Sequence, residues 1–209
     1  MSWTRSERSR SPDRGARVAC YETGMDPRDA TEVARRTLCL ELLLQRLGLE
    51  TDDEDPIADR EKIRALWATR LTELGIDADV LPVERAFLER PVGGLTEDDL
   101  DDVHGRATGA LALLWVLGRL ETKPNAASVE EIADLLGDHG LLGDGSITRA
   151  KEAVAAAKMR DLPAVEEART TYERARGKAK EPTEPEKIFA GIGAHHLAWV
   201  LDRAMPFDE

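Results

Sequence analysis

The sequence predicts an all-α fold: a single helical domain of about seven to eight helices arranged around a long helix over 97–120. Three observations carry this. Apolar residues recur at spacings of three, four and seven in one segment after another, the period that gathers side chains on one helix face. No stretch alternates apolar and polar residues as a half-buried strand does, and no Asn-Gly hairpin turn occurs. Helix-starting residues precede the periodic segments, and Gly or Pro follows them. With 209 residues, 42% of them hydrophobic and 33% charged, the chain can close one substantial core under a heavily charged surface.

Residues 1–27 are rich in Arg, Ser, Gly and Pro without periodicity, and read as an irregular N-terminal arm ahead of a helical domain over 28–209. The first helix spans about 29–48. Val33, Leu40, Leu43, Leu44 and Leu47 form its main stripe, while Leu38, Cys39 and Leu42 on other faces predict contact from several sides. Gly48 is its expected stop. Asp55-Pro56 caps a second helix with a stripe of Ile63, Leu66, Trp67, Arg70, Leu71 and Leu74, ended by Gly75. A short third helix fits 82–90, with Val83, Ala86 and Phe87 inward.

Thr96 and Asp99 resemble a capping box opening the 97–120 helix, whose stripe is Leu100, Val103, Ala107, Ala110, Leu111, Leu114 and Leu117. Gly105 and Gly109 lie on one side of it. Each costs up to about 1 kcal/mol against Ala in a helix interior, so they predict close approach of a neighbouring helix. Ser128 with Glu131 opens a short helix to 136, Ser146 another to about 160, and Pro163 a third with Val165, Ala168, Tyr172 and Ala175 inward. A solvated linker covers 177–186, and the last helix runs to about 204.

Charge is unevenly spread. The formal net charge is -12. Residues 50–61 hold Glu50, Asp52, Asp53, Glu54, Asp55, Asp59 and Glu61 against Arg60, a net of -6. Residues 97–102 add Glu97, Asp98, Asp99, Asp101 and Asp102, a net of -5. Such a balance excludes a general nucleic-acid binder, which needs a basic face. No apolar run is long enough for a membrane span, and two cysteines make no disulfide framework. With no secretory h-region after the N-terminus, the expected location is cytoplasmic.

The chemistry-bearing candidates are few. On the last helix Phe189, Ile192, His195, His196, Trp199 and Arg203 share one arc. Adjacent histidines stand about 100° apart, so the pair does not converge on one ion, and the expected metal content is none. Glu41 interrupts the apolar run 38–44 between Thr37 and Gln45, as part of a polar stripe or as a partnered buried acid. No phosphate-binding Gly-rich loop, nucleophile elbow or paired Cys-x-x-Cys occurs, so no cofactor is expected.

Four segments together resemble a bacterial family, the domain-of-unknown-function family four-two-seven-two. They are Glu32 to Leu40 continuing to Glu50; Leu66-Trp67 with Leu81 to Leu88; Arg106 leading to Leu113-Leu114-Trp115-Val116-Leu117-Gly118; and His195-His196 ahead of Trp199. The resemblance implies an α-helical bacterial domain over about 29–203 and transfers no catalytic residue. The family's Trp before the arginine is Gly105 here, and its Glu two residues after is Thr108; if the family's Arg and Glu form a buried pair, Arg106 must pair elsewhere.

The functional expectation is a non-enzymatic interaction domain binding a basic protein partner, an inhibitor or immunity protein being one concrete version. Asp52, Asp53, Glu54, Asp55, Glu97, Asp98, Asp99, Asp101 and Asp102 would form its surface. The alternative is a metal-dependent or acid–base hydrolase with Glu41, Arg106, His195 and His196 in one cleft. A homo-oligomer is a third expectation.

Overall fold

The computed structural model describes residues 26–52, 54–124, 129–143, 145–178 and 184–207. They form α1 (Ala30–Thr51), α2 (Ile57–Ala65), α3 (Trp67–Leu74), a 3-10 turn (Asp77–Asp79), α4 (Pro82–Glu89), α5 (Glu97–Val116), α6 (Val129–His139), α7 (Ile147–Ala155), α8 (Leu162–Lys178) and α9 (Glu184–Leu201). The fold is all-α; no strand occurs among the described residues.

The core centres on α5, which packs against both α1 and α9. α1 packs on α5, and α9 packs on both α5 and α8. α6 lies against α5, while α7 bridges α1 and α3. On α1 the expected stripe is buried except for half-buried Leu44, and Leu38, Cys39 and Leu42 are buried as well. That is a helix touched on several sides. On α5 every residue from Ala107 to Val116 is buried.

Local caps fix the boundaries. The Asp29 side chain accepts from the Glu32 N–H while the Glu32 side chain accepts from the Asp29 N–H, a full capping box at the start of α1. Thr96 and Asp99 make the same reciprocal pair on α5. Gly75 and Gly118 take positive φ, 72° and 69°. At each, the next N–H returns across the turn: Ile76 to the Leu71 carbonyl and Arg119 to that of Leu114.

Several expectations are corrected. α1 runs through Gly48, which keeps helical backbone, and ends where the Asp52 N–H bonds the Gly48 carbonyl. The 97–120 helix ends at Val116, because Gly118 reverses the chain. α1 is the longer of the two core helices, at 22 residues against 20. The second expected helix is split at Leu66 into α2 and α3. Trp67, Leu71 and Leu74 stay buried, whereas Ile63 and Leu66 are exposed. On α4 the inward residues are Glu84, Phe87 and Leu88, with Ala86 exposed. α7 stops at Ala155 and α9 at Leu201. Ser128 lies outside the described residues, as do residues 1–25 of the N-terminal arm. Asp26 and Arg28 join the domain: the Arg28 N–H donates to Val200 and the Asp26 carbonyl accepts from Arg203.

Arginine side chains close most helix C-termini, where the last carbonyls have no intrahelical donor. Arg60 donates to Leu49 at the end of α1, and Arg35 to Gly75 after α3. Arg46 donates to Phe87, Arg90 and Pro91 around the end of α4. Arg160 serves Trp115 and Leu120 after α5, Arg119 serves His139 and Gly140 after α6, and Arg28 serves Asp202 after α9.

Candidate functional site

α9 places His195 and His196 side by side with diverging rings, their centroids 5.6 Å apart. His196 is buried. Its Nδ1 lies 2.8 Å from the Ile192 carbonyl one turn back, so Nδ1 carries the proton and Nε2 a lone pair. Nε2 has no hydrogen-bond partner among the described residues and rests on α5 at Gly109. A Cβ there would lie 2.0 Å from Nε2. This glycine is the close approach that the sequence predicted; Gly105 meets only Ile192 Cδ1 at 3.9 Å. Burial pushes the His196 pKa down to about 3, with the neighbouring His195, Arg36 and Arg106 acting in the same direction, so the ring is neutral at pH 7.

His195 Nε2 donates to the Phe207 carbonyl at 2.7 Å. That bond holds the C-terminal segment over the histidines. The Phe207 ring stands edge-on to His196 and Trp199, with centroids 4.9 and 5.2 Å away. The Arg36 guanidinium lies over the same ring, 3.7 Å from its centroid.

Beneath runs a chain of charges. Arg36 on α1 and Glu84 on α4 are both buried and joined by two hydrogen bonds. Glu84 also accepts from the Leu81 N–H at 3.1 Å. Arg106 on α5 lies 3.7 Å from Glu84 and 3.2 Å from Asp102 one turn away. Arg106 therefore finds its acids on α4 and on its own helix.

A cleft of about 660 Å³ opens over this network. α5 contributes Asp102, Gly105 and Arg106; α8 contributes Arg176; α9 contributes Lys187, Ile188, Gly191, Ile192 and the two histidines. Phe207 closes one side. Among the described residues no group of three or more His, Cys, Asp or Glu side chains is placed to hold a metal ion.

Of the alternative polar site, the structure thus gathers Arg106, His195 and His196. Glu41 lies elsewhere. Its carboxylate is buried and accepts the Leu141 and Leu142 N–H groups at 2.8 and 2.7 Å, pinning the loop after α6. Gly140 lets the loop approach, since a Cβ there would stand 3.1 Å from the Glu41 oxygens. Burial raises the Glu41 pKa to about 7, against the pull of those two N–H groups and of Arg119.

The acidic segments divide by role. Asp99 caps α5 and bonds Arg90, and Asp102 pairs with Arg106. Asp52 accepts from the Glu54 and Asp55 N–H groups. Glu50 and Glu61 accept from the Gly93 and Val92 N–H groups respectively. Glu54, Asp55, Glu97, Asp98 and Asp101 remain exposed, and Asp53 lies outside the described residues.

Sequence reasoning missed Arg36, Glu84, Arg176, Lys187 and Phe207. Arg36, one turn after Val33 beside the apolar face of α1, was the one available signal.

Residues 13–205 match the family described as Domain of unknown function (DUF4272). The chain belongs to that family. No curated protein and no solved structure matches it. In this DUF4272 domain the Leu113-to-Gly118 segment is the end of α5, closed by Gly118 and by Arg160 across Trp115. The family match begins at residue 13, inside the arm that the sequence sets apart at 1–27.

Proposed function

We propose that this DUF4272 domain is a non-catalytic interaction module that binds a basic protein partner through its acidic surface. An inhibitor or immunity protein is one concrete version. The observation that carries this reading is the anchoring of both acidic segments to one loop. Glu50 and Glu61 bond the backbone of Val92 and Gly93, and Asp99 bonds Arg90 and Thr96. The exposed Glu54 and Asp55 lie in the chain between Glu50 and Glu61, and the exposed Glu97, Asp98 and Asp101 lie beside Asp99, so each exposed set is tied to that loop through its neighbours in the chain. Backbone anchored this way supports exposed carboxylates whose summed negative potential would draw a cationic partner.

The test uses Asp98 and Asp101, because reversing Asp99 or Asp102 would also break a cap or an ion pair. A partner captured by the full chain from its host should dissociate as salt rises. Asp98→Lys with Asp101→Lys should weaken that capture while leaving the thermal transition in place. Capture indifferent to both changes would sink the reading. Light scattering of the chain alone separates it from self-association.

A second reading, an acid–base or metal-dependent hydrolase, is favoured by the shared cleft of Arg106, His195 and His196. Without Glu41 its acid would be Asp102. Elemental analysis of protein purified without chelator, beside His195→Ala and His196→Ala, tests it.

A further inference from the structure

We propose that residues 140–142, between α6 and α7, are a pH-responsive clasp: Glu41 on α1 holds them shut in mildly acidic solution and lets them open locally as pH rises towards neutrality. The inference stands apart from the acidic-surface reading and concerns a different part of the molecule.

Geometry makes the first argument. Among the described residues two side chains tie this segment to other elements. The Glu41 carboxylate accepts the Leu141 and Leu142 N–H groups at 2.8 and 2.7 Å. Arg119, in the turn after α5, donates to the His139 and Gly140 carbonyls at 3.1 and 3.2 Å. The Glu41 tie is buried, and so are the side chains of Leu141 and Leu142. A glycine bounds the segment at each end. A Cβ on Gly140 would collide with the Leu136 carbonyl, and Gly143 takes a φ of 50°. Opening therefore breaks the two bonds to Glu41 and uncovers two leucines, while α6 and α7 keep their own helical bonds.

Charge makes the second. Glu41 has no ion pair among the described residues; its partners are two neutral N–H groups. A carboxylate that has exchanged water for these alone is penalised for its charge, so the closed segment favours the proton. Once open to water, the same group ionises normally. Opening thus releases a proton to solvent, and closing takes one up. The Glu41 pKa, raised by burial to about 7, agrees with this. Arg119 is the charged group that acts on Glu41, and it acts against that rise. Thr37 and Gln45, one turn away on α1, carry no charge, and Arg70 on α3 reaches Gln45. Asp138 and His139 on α6, and Arg149, Lys151 and Glu152 on α7, are exposed; Asp144 lies outside the described residues. With an ordinary value of 4.5 in the open form and about 7 in the closed one, release strengthens between these two pH values and levels off above them.

Amide hydrogen exchange of the full chain tests this, followed residue by residue by NMR at pH 5, 6, 7 and 8. Corrected for the intrinsic rate, it reads the opening constant at Leu141 and Leu142. That constant should rise about thirtyfold from pH 5 to 7, and less than about threefold from 7 to 8. Glu41→Gln has no proton to lose and should show no such rise. Leu113, in the middle of α5, should open at least about tenfold more rarely than Leu141 at pH 7. A flat profile in the wild type overturns the clasp. So does a rise that persists in Glu41→Gln, because another group would then be responsible. Equal opening constants at Leu141 and Leu113 would mean that the segment opens only with the whole domain, and would overturn it as well. Should Glu41→Gln not fold, the shape of the wild-type profile and the comparison with Leu113 still decide.

Discussion

At the scale of single residues, two buried titratable groups pull stability in opposite directions. Glu41 has its pKa raised from 4.5 to about 7, so the native state holds a proton that the unfolded chain has released. Its contribution is full below about pH 4.5 and is lost as pH rises through 7. His196 has its pKa lowered from 6.5 to about 3, so the unfolded chain takes a proton that the native state refuses. Its contribution is full above about pH 6.5 and is lost as pH falls towards 3. Between them the two slopes oppose, each amounting to at most about 1.4 kcal/mol per pH unit. Urea denaturation across this range should show Glu41→Gln gaining on the wild type as pH rises. His196→Asn should gain on it as pH falls. Parallel profiles for all three proteins would count against both assignments. Gly109 belongs to the same scale. Gly109→Ala would gain about 1 kcal/mol of helix propensity. It must displace the His196 ring, however, because the new Cβ falls 2.0 Å from Nε2. Overpacking of this kind costs about 1–3 kcal/mol, so net destabilisation is expected, measured as a lower urea midpoint.

At the scale of elements, the helices are tied together less by exposed ion pairs than by buried and half-buried arginines. A guanidinium offers five donors in a planar fork, which suits a cluster of unsatisfied carbonyls better than an ammonium does. Arg46 joins α1 to the end of α4 in this way, and Arg160 joins the start of α8 to the end of α5. Arg36 uses its fork on the Glu84 carboxylate and thereby joins α1 to α4. Glu84→Ala would leave Arg36 buried without its counter-charge and release the Leu81 N–H; a loss of about 3–5 kcal/mol is expected. Arg36→Met combined with Glu84→Leu removes both charges and should recover most of it. A double-mutant cycle from denaturation curves checks this, and additive losses would show that the pair is not coupled.

At the scale of the whole molecule, acidic charge is concentrated. The exposed carboxylates Glu54 and Asp55 stand in the stretch before α2, and Glu97, Asp98 and Asp101 in the first turns of α5. On the proposed reading, capture of a basic partner by this surface should weaken as ionic strength rises, and Asp98→Lys with Asp101→Lys should flatten that salt dependence.

What the sequence determined by itself is whatever closes within one turn or one helix. The helical class, the Thr96–Asp99 box, the stop at Gly75 and the apolar runs of α1 and α5 depend on neighbours three or four residues away, and composition reports them directly. Gly109 was legible too, because a glycine within an apolar helix needs a packing reason. Tertiary structure alone decided the rest. Glu41 meets Leu141 one hundred residues away, Arg36 meets Glu84 across forty-eight, and Ile63 is left exposed on α2. A charged side chain in a helix carries no mark of which distant carbonyl or carboxylate it will reach. That choice is made by how the helices pack, since only packing fixes which buried polar groups would otherwise go without a partner.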